Sequence, residues 1–136
     1  MTIDRHGLLF LCVANSARSQ VAEGLARQLA PEGWDIYSAG SAPEKVNPYA
    51  IAAMKKIGID ISDHSSKAID NIPTDNIHTV ITLCADEICP VFPHLTTRLH
   101  WPHPDPAAVK GSDEEILTSF CEVRDQIREK LVAFWG

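Results

Sequence analysis

Leu8-Leu9-Phe10-Leu11-Cys12-Val13-Ala14-Asn15-Ser16-Ala17-Arg18-Ser19-Gln20 runs from an unbroken apolar tract into a short polar loop and then into a segment of helical spacing. A continuous apolar run suits a strand covered on both faces. Beyond the loop, Val21, Leu25 and Leu29 recur every four residues with Ala22, Ala26 and Ala30 beside them, a helix that Pro31 and Gly33 close. Cys12 therefore falls where a buried strand becomes a helix N-terminus. Backbone N–H groups converge at such a turn, the helix dipole adds about half a positive charge, and Arg18 offers a planar fork for a tetrahedral oxyanion. The same field favours thiolate over thiol. A cysteine at the end of a buried strand is by itself most often a packing residue. The Cys-x5-Arg-Ser register, with the Ser19 hydroxyl able to donate to sulfur, instead makes Cys12 a candidate nucleophile, and Val13, Ala14, Asn15, Ser16, Ala17 and Arg18 its oxyanion loop.

The remainder of the chain alternates strand and helix patterns. Trp34 to Ala39 reads as a second strand, and Asn47-Pro48 as an N-cap with Pro at the first helical position, ahead of an apolar face of Ala50, Ile51, Met54 and Ile57 that stops at Gly58. Residues 58–67 are polar and turn-rich. His78 to Leu83 is a third strand that delivers Cys84 at its C-terminal end, as the first delivers Cys12. Residues 84–93 read as a loop or short helix, Thr97 to Trp101 as a shorter fourth strand, and Pro102 to Pro106 as a rigid loop. Ser112 and Glu115 form a capping box ahead of a stripe of Ile116, Phe120, Val123, Ile127, Leu131 and Phe134, with Cys121 beside it as a packing residue. The expected fold is an α/β three-layer sandwich over one domain, residues 1–136, with a four-stranded parallel sheet flanked by helices. Ligands in such folds bind beyond the C-terminal strand ends, where Cys12, Cys84 and Asp105 all fall.

The 136 residues are 45% hydrophobic and 22% charged, with a formal net charge of −6. That balance suits a soluble globular protein and argues against nucleic acid or an anionic membrane as partner. No run approaches the roughly 18 apolar residues of a membrane span, and the first seven residues lack a signal-peptide core. A cytoplasmic location follows as the expectation. Structural disulfides are rare there, so Cys12, Cys84, Cys89 and Cys121 call for an explanation in chemistry, metal binding or packing.

The Cys12 to Ser19 loop, with Asp105-Pro106 far downstream, resembles the low-molecular-weight protein tyrosine phosphatases and the arsenate reductases that share their fold. Cys84 and Cys89-Pro90, with His100-Trp101 ahead of Asp105-Pro106-Ala107, are similar specifically to the thioredoxin-coupled arsenate reductases, and the likeness runs from about Leu8 to the terminal helix. The resemblance implies Cys12 as nucleophile, Arg18 as oxyanion clamp, Ser19 as thiolate stabiliser, Asp105 as general acid and Asn15 as a loop residue in the left-handed region. It further implies that Cys12 attacks arsenate, that Cys84 then attacks Cys12 with release of arsenite, and that Cys89 attacks Cys84. The Cys84–Cys89 disulfide would be reduced from outside by thioredoxin, with no tightly bound cofactor and no metal. Residues 84–93 are the expected moving part of that relay.

The chain departs from the family pattern at several places. Ala17 replaces a second loop cysteine, which directs Cys12 toward Cys84. Ala107 stands where the phosphatases commonly carry tyrosine, and only four residues separate Cys84 from Cys89. Some family members bind potassium through residues matching Asn15, Glu23 and Ser38; here Lys67 introduces an amine, which implies that Lys67 takes the ion's place. Phosphate and sulfate are expected competitors of arsenate. A phosphatase acting on aryl phosphates is the alternative enzyme, and a metal-binding protein using Cys84, Cys89, His94, His100 and His103 the alternative class. His6, His64 and His78 read as ordinary surface or strand-end residues.

Overall fold

The computed structural model describes residues 5–84, 92 and 96–136. The first strand, β1 (His6–Cys12), starts two residues ahead of the apolar tract because His6 and Gly7 continue its ladder opposite Trp34 and Asp35. It is followed by α1 (Arg18–Leu29), β2 (Trp34–Gly40), α2 (Pro48–Lys55), β3 (Ile77–Thr82), β4 (Thr97–His100) and α3 (Asp113–Trp135). Short 3₁₀ turns at Ile69–Asn71, Thr74–Asn76 and Pro106–Ala108 were not apparent from the pattern. They are too short for a period to register.

The four strands are parallel in the order β2-β1-β3-β4. The chain leaves β1 first toward β2 and later returns to β1's other side as β3. The order therefore reverses at β1, and the crevice beyond its C-terminal end is where such folds place ligands. Cys12 is the last residue of β1 and pairs with Gly40.

Leu8, Leu9, Phe10 and Leu11 are fully buried. At about 1.5–3 kcal/mol for each such side chain, this one tract contributes on the order of 6–12 kcal/mol before entropy is set against it. Leu8 and Phe10 face a core shared with α1, α2 and α3, through residues such as Leu25, Met54, Phe120 and Ile127. Leu9 and Leu11 face the opposite side, where they share a second core with Val80 of β3, Ile72 and Phe92. The caps follow the residue chemistry: Asn47 accepts from the Tyr49 N–H, and Ser112 and Glu115 close a complete capping box. Cys121 is a half-buried free thiol against the helical core. Among the described residues, no helix is long and apolar enough to cross a membrane.

Candidate active site

A small pocket of about 110 Å³ lies beyond the end of β1, with Cys12, Ala14, Ser16, Ala17, Arg18 and Asp105 in its lining. Cys12 is 3% exposed, and its sulfur lies 2.8 Å from the Ser19 hydroxyl oxygen. Asn15 Nδ2 donates to that same oxygen at 2.7 Å, which leaves the hydroxyl proton for the sulfur. Ala17 sits at the N-cap of α1 and has no side-chain oxygen to take up the first-turn N–H groups, so that end of the helix suits an anion.

The loop takes its shape from contacts distant in sequence. Asn15 has φ 48°, the one positive φ at a non-glycine position among the described residues. It is fully buried, and its carbonyl accepts from Ser66 Oγ at 2.7 Å and from Gln20 Nε2 at 3.1 Å. Its side-chain oxygen accepts from the Lys67 N–H at 2.8 Å. Gly40 lets β2 pass close to the loop, for a Cβ there would lie 2.3 Å from the Val13 carbonyl oxygen. Ser65, Ser66 and Lys67 come from the polar segment read as a loop near the strand ends; the structure brings Ser66 and Lys67 against Asn15 and the Ser65 carbonyl against Gln20 Nε2 at 3.0 Å.

Behind the loop lies a charge cluster. The Glu23 carboxylate is buried and accepts from Ser38 Oγ at 2.6 Å and from Arg27 Nε at 3.1 Å. His64 Nδ1 and Lys67 Nζ stand 3.5 and 3.6 Å from its oxygens. Burial pushes the carboxyl upward, but the Ser38 hydrogen bond and the Lys67, His64 and Arg27 charges outweigh it and hold Glu23 below the ordinary glutamate value. The positive charge that a bound potassium ion would supply is thus already present as the Lys67 ammonium, and the residues do not fit an additional cation. His64 is not the ordinary surface residue expected from the sequence: it is mostly buried and pairs with Gln20 Oε1 at 3.1 Å. A polar stripe of Ser19, Gln20 and Glu23 on the alanine-rich helix was the sequence signal for this cluster.

Arg18 is 5% exposed, and its Nη1 donates to the carbonyls of His103 at 2.9 Å and Leu83 at 3.3 Å. The guanidinium therefore joins the oxyanion pocket to the chain segments after β3 and β4. Asp105 caps the 3₁₀ turn Pro106–Ala108, its Oδ1 accepting from the Ala107 N–H at 3.0 Å, which fixes the carboxyl in the pocket wall. His103 is buried, and its imidazole is held below its ordinary value chiefly by that burial. Cys84, 1% exposed and just beyond β3, is disulfide-bonded, whereas Cys12 is a free thiol. Cys84 is not in the pocket lining. Cys89 and His94, and residues 84–93 apart from Cys84 and Phe92, lie outside the described residues. Among the described residues, no group of three or more His, Cys, Asp or Glu could hold a metal ion. His100 and His103 turn their Nδ1 atoms to Thr82 Oγ1 and the Trp101 carbonyl instead. Glu44 and Asn47, unforeseen from the sequence, also line the pocket.

Residues 7–135 match the pattern of the family described as low molecular weight phosphotyrosine protein phosphatase. An arsenate reductase of Halalkalibacterium halodurans is 44% identical over 129 residues, 93% of each chain. An arsenate reductase solved in a phosphate-binding state superposes with a TM-score of 0.76 at 32% identity, covering 95% of both chains. A thioredoxin-dependent arsenate reductase of Corynebacterium glutamicum superposes with a TM-score of 0.66 at 27% identity, covering 98% of this chain and 63% of that one.

Proposed function

The chain belongs to the low molecular weight phosphotyrosine protein phosphatase family, and from that premise we propose that it is an arsenate reductase, converting arsenate to arsenite in the cytoplasm with thioredoxin as external reductant. The observation that carries the reading is the buried Cys12 sulfur, held 2.8 Å from the Ser19 hydroxyl in a pocket that also holds Arg18 and Asp105. The Cys12 thiolate attacks arsenic, Arg18 and the N-terminus of α1 take the oxyanion charge, and Asp105 protonates the departing oxygen, which leaves as water. The product is a covalent Cys12–arsenic adduct.

The thiolate of Cys84 then attacks the Cys12 sulfur. The electron pair of the sulfur–arsenic bond passes to arsenic, arsenite departs, and a Cys12–Cys84 disulfide remains. Attack by Cys89 on Cys84 releases the Cys12 thiolate and leaves a Cys84–Cys89 disulfide, which a thioredoxin dithiol reduces. Each exchange needs α-carbons about 4.4–6.8 Å apart, so the three sulfurs must meet in turn. A free Cys12 together with a disulfide-bonded Cys84 is consistent with the last oxidised state of this sequence. The Lys67 ammonium acts in place of a potassium ion, so potassium and sodium are expected to support activity equally.

The test is to add arsenate to the reduced protein and map disulfides by mass spectrometry. Cys84–Cys89 is expected in wild type and Cys12–Cys84 in Cys89→Ser; thiols that all remain free would refute the relay. Hydrolysis of aryl phosphates is the second reading, favoured by the same pocket because phosphate and arsenate are near-isosteric. A phosphatase would keep its turnover in Cys84→Ser and Cys89→Ser.

A further inference from the structure

A pocket that holds a tetrahedral anion ordinarily gathers positive charge, yet an exposed carboxylate, Glu44, stands on its rim. We propose that Glu44 is a specificity-determining residue, which makes the Cys12 site select free inorganic oxyanions against anionic phosphate esters, above all phosphotyrosine within acidic peptides. The proposal rests on the reading of this site as one for a small oxyanion.

Three observations carry it. The first is size: about 110 Å³, against the roughly 300–1,000 Å³ of pockets that enclose organic ligands. No aromatic side chain is among the described lining residues, so a phosphorylated ring finds no stacking partner there. The second is rigidity. The wall that carries Glu44 is hooked to the oxyanion loop by Ala42 N–H to Val13 O at 2.9 Å, Glu44 N–H to Ala14 O at 2.8 Å and Asn47 N–H to Ser16 O at 3.0 Å. Ser16 Oγ adds a bond to the Lys45 carbonyl at 2.8 Å. A wall tied at four points to the loop it faces cannot swing aside for a larger substrate without breaking the loop's own geometry.

The third is charge. Arg18 is the one cationic side chain among the described lining residues, and Glu44 and Asp105 are two carboxylate residues of the same lining. A free oxyanion sits wholly inside, against Arg18 and the helix N-terminus. The organic part of an ester must leave through the rim past Glu44. Every further negative charge on that part is held near a carboxylate, and a like-charge pair about 7 Å apart in water is disfavoured on the order of two- to fourfold, less at high salt.

The experiment compares alkylation of Cys12 in the full reduced chain by anionic iodoacetate and by neutral iodoacetamide, in wild type, Glu44→Gln and Glu44→Lys. The ratio of the two rates cancels the amount of thiolate and reports only the reagent's charge. It is expected to rise on the order of two- to fourfold in Glu44→Gln and further in Glu44→Lys at low ionic strength, and to converge with wild type near 1 M salt. A ratio unchanged in both variants overturns the proposal. In a second measurement, the preference for a neutral over an acidic phosphotyrosine peptide as a competitor of alkylation should narrow in Glu44→Gln; an unaltered preference also overturns it. Arsenate turnover by the wild type is scored separately. Its absence would sink the proposed function while the alkylation ratio still responded to Glu44, so the two failures are distinguishable.

Discussion

Replacing Glu23 tests whether the buried charge cluster supports the Cys12 loop. In Glu23→Ala the Ser38 hydroxyl, fully buried and now lacking its acceptor, loses a charge-assisted hydrogen bond made at 2.6 Å. Such a bond contributes about 1.5–3 kcal/mol. Arg27 and Lys67 retain 54% and 30% side-chain exposure and can return to water, so their pairs add only about 0.3–1 kcal/mol each. The expected loss is about 3 kcal/mol, at the low end for breaking a buried ion pair. Glu23→Gln keeps a neutral acceptor for Ser38 and should lose about 1–2 kcal/mol. Because the folded carboxyl lies below its unfolded value of about 4.3, its ionic contribution is fully present above that pH and is lost as pH falls through the depressed folded value. The assay is urea unfolding of wild type, both variants and Lys67→Met at pH 7 and pH 3. The gap between wild type and Glu23→Ala should narrow at the lower pH, and the Glu23–Lys67 coupling at pH 7 should be about 0.5–1 kcal/mol. A Glu23→Ala protein within about 0.5 kcal/mol of wild type at pH 7 would refute the reasoning, since that is the scatter of an inert surface change.

For the proposed reaction, Ser19→Ala should lower kcat/KM for arsenate about ten- to a hundredfold, because it removes the hydroxyl 2.8 Å from the Cys12 sulfur and its bond from Asn15 Nδ2. Gly40→Ala places a methyl group 2.3 Å from the Val13 carbonyl oxygen, so thermal unfolding should show a loss of about 1–3 kcal/mol together with weakened phosphate binding. Asp35 is held down to about 2, first by its hydrogen bond from Arg5 and then by that from Asn76. The stabilisation is present above its unfolded value of about 3.9 and disappears as pH falls toward 2, and Arg5→Ala should move the Asp35 titration, followed by NMR, back up.

The architecture and the position of Cys12 were legible in the sequence because both depend on local pattern. An unbroken apolar run makes a strand buried on both faces, a four-residue apolar repeat makes the helix after it, and the junction between them places Cys12 at a helix N-terminus whatever the rest of the chain does. The caps at Asn47 and Ser112 were legible for the same reason, being set by residues within three positions of each other. Only the tertiary structure decided what surrounds the loop. Glu44 reaches the pocket through a hydrogen-bonded wall about thirty residues downstream. Lys67 and Ser66 grip Asn15 from more than fifty residues away. His64 lies among the partners of Glu23 rather than in solvent. No periodicity encodes such contacts, since they arise from parallel strands bringing distant loops to one sheet edge. The chain's own order thus places Cys12 at a strand-to-helix junction, while packing across the C-terminal ends of β1 and β2 sets the charge and size of the pocket it lines.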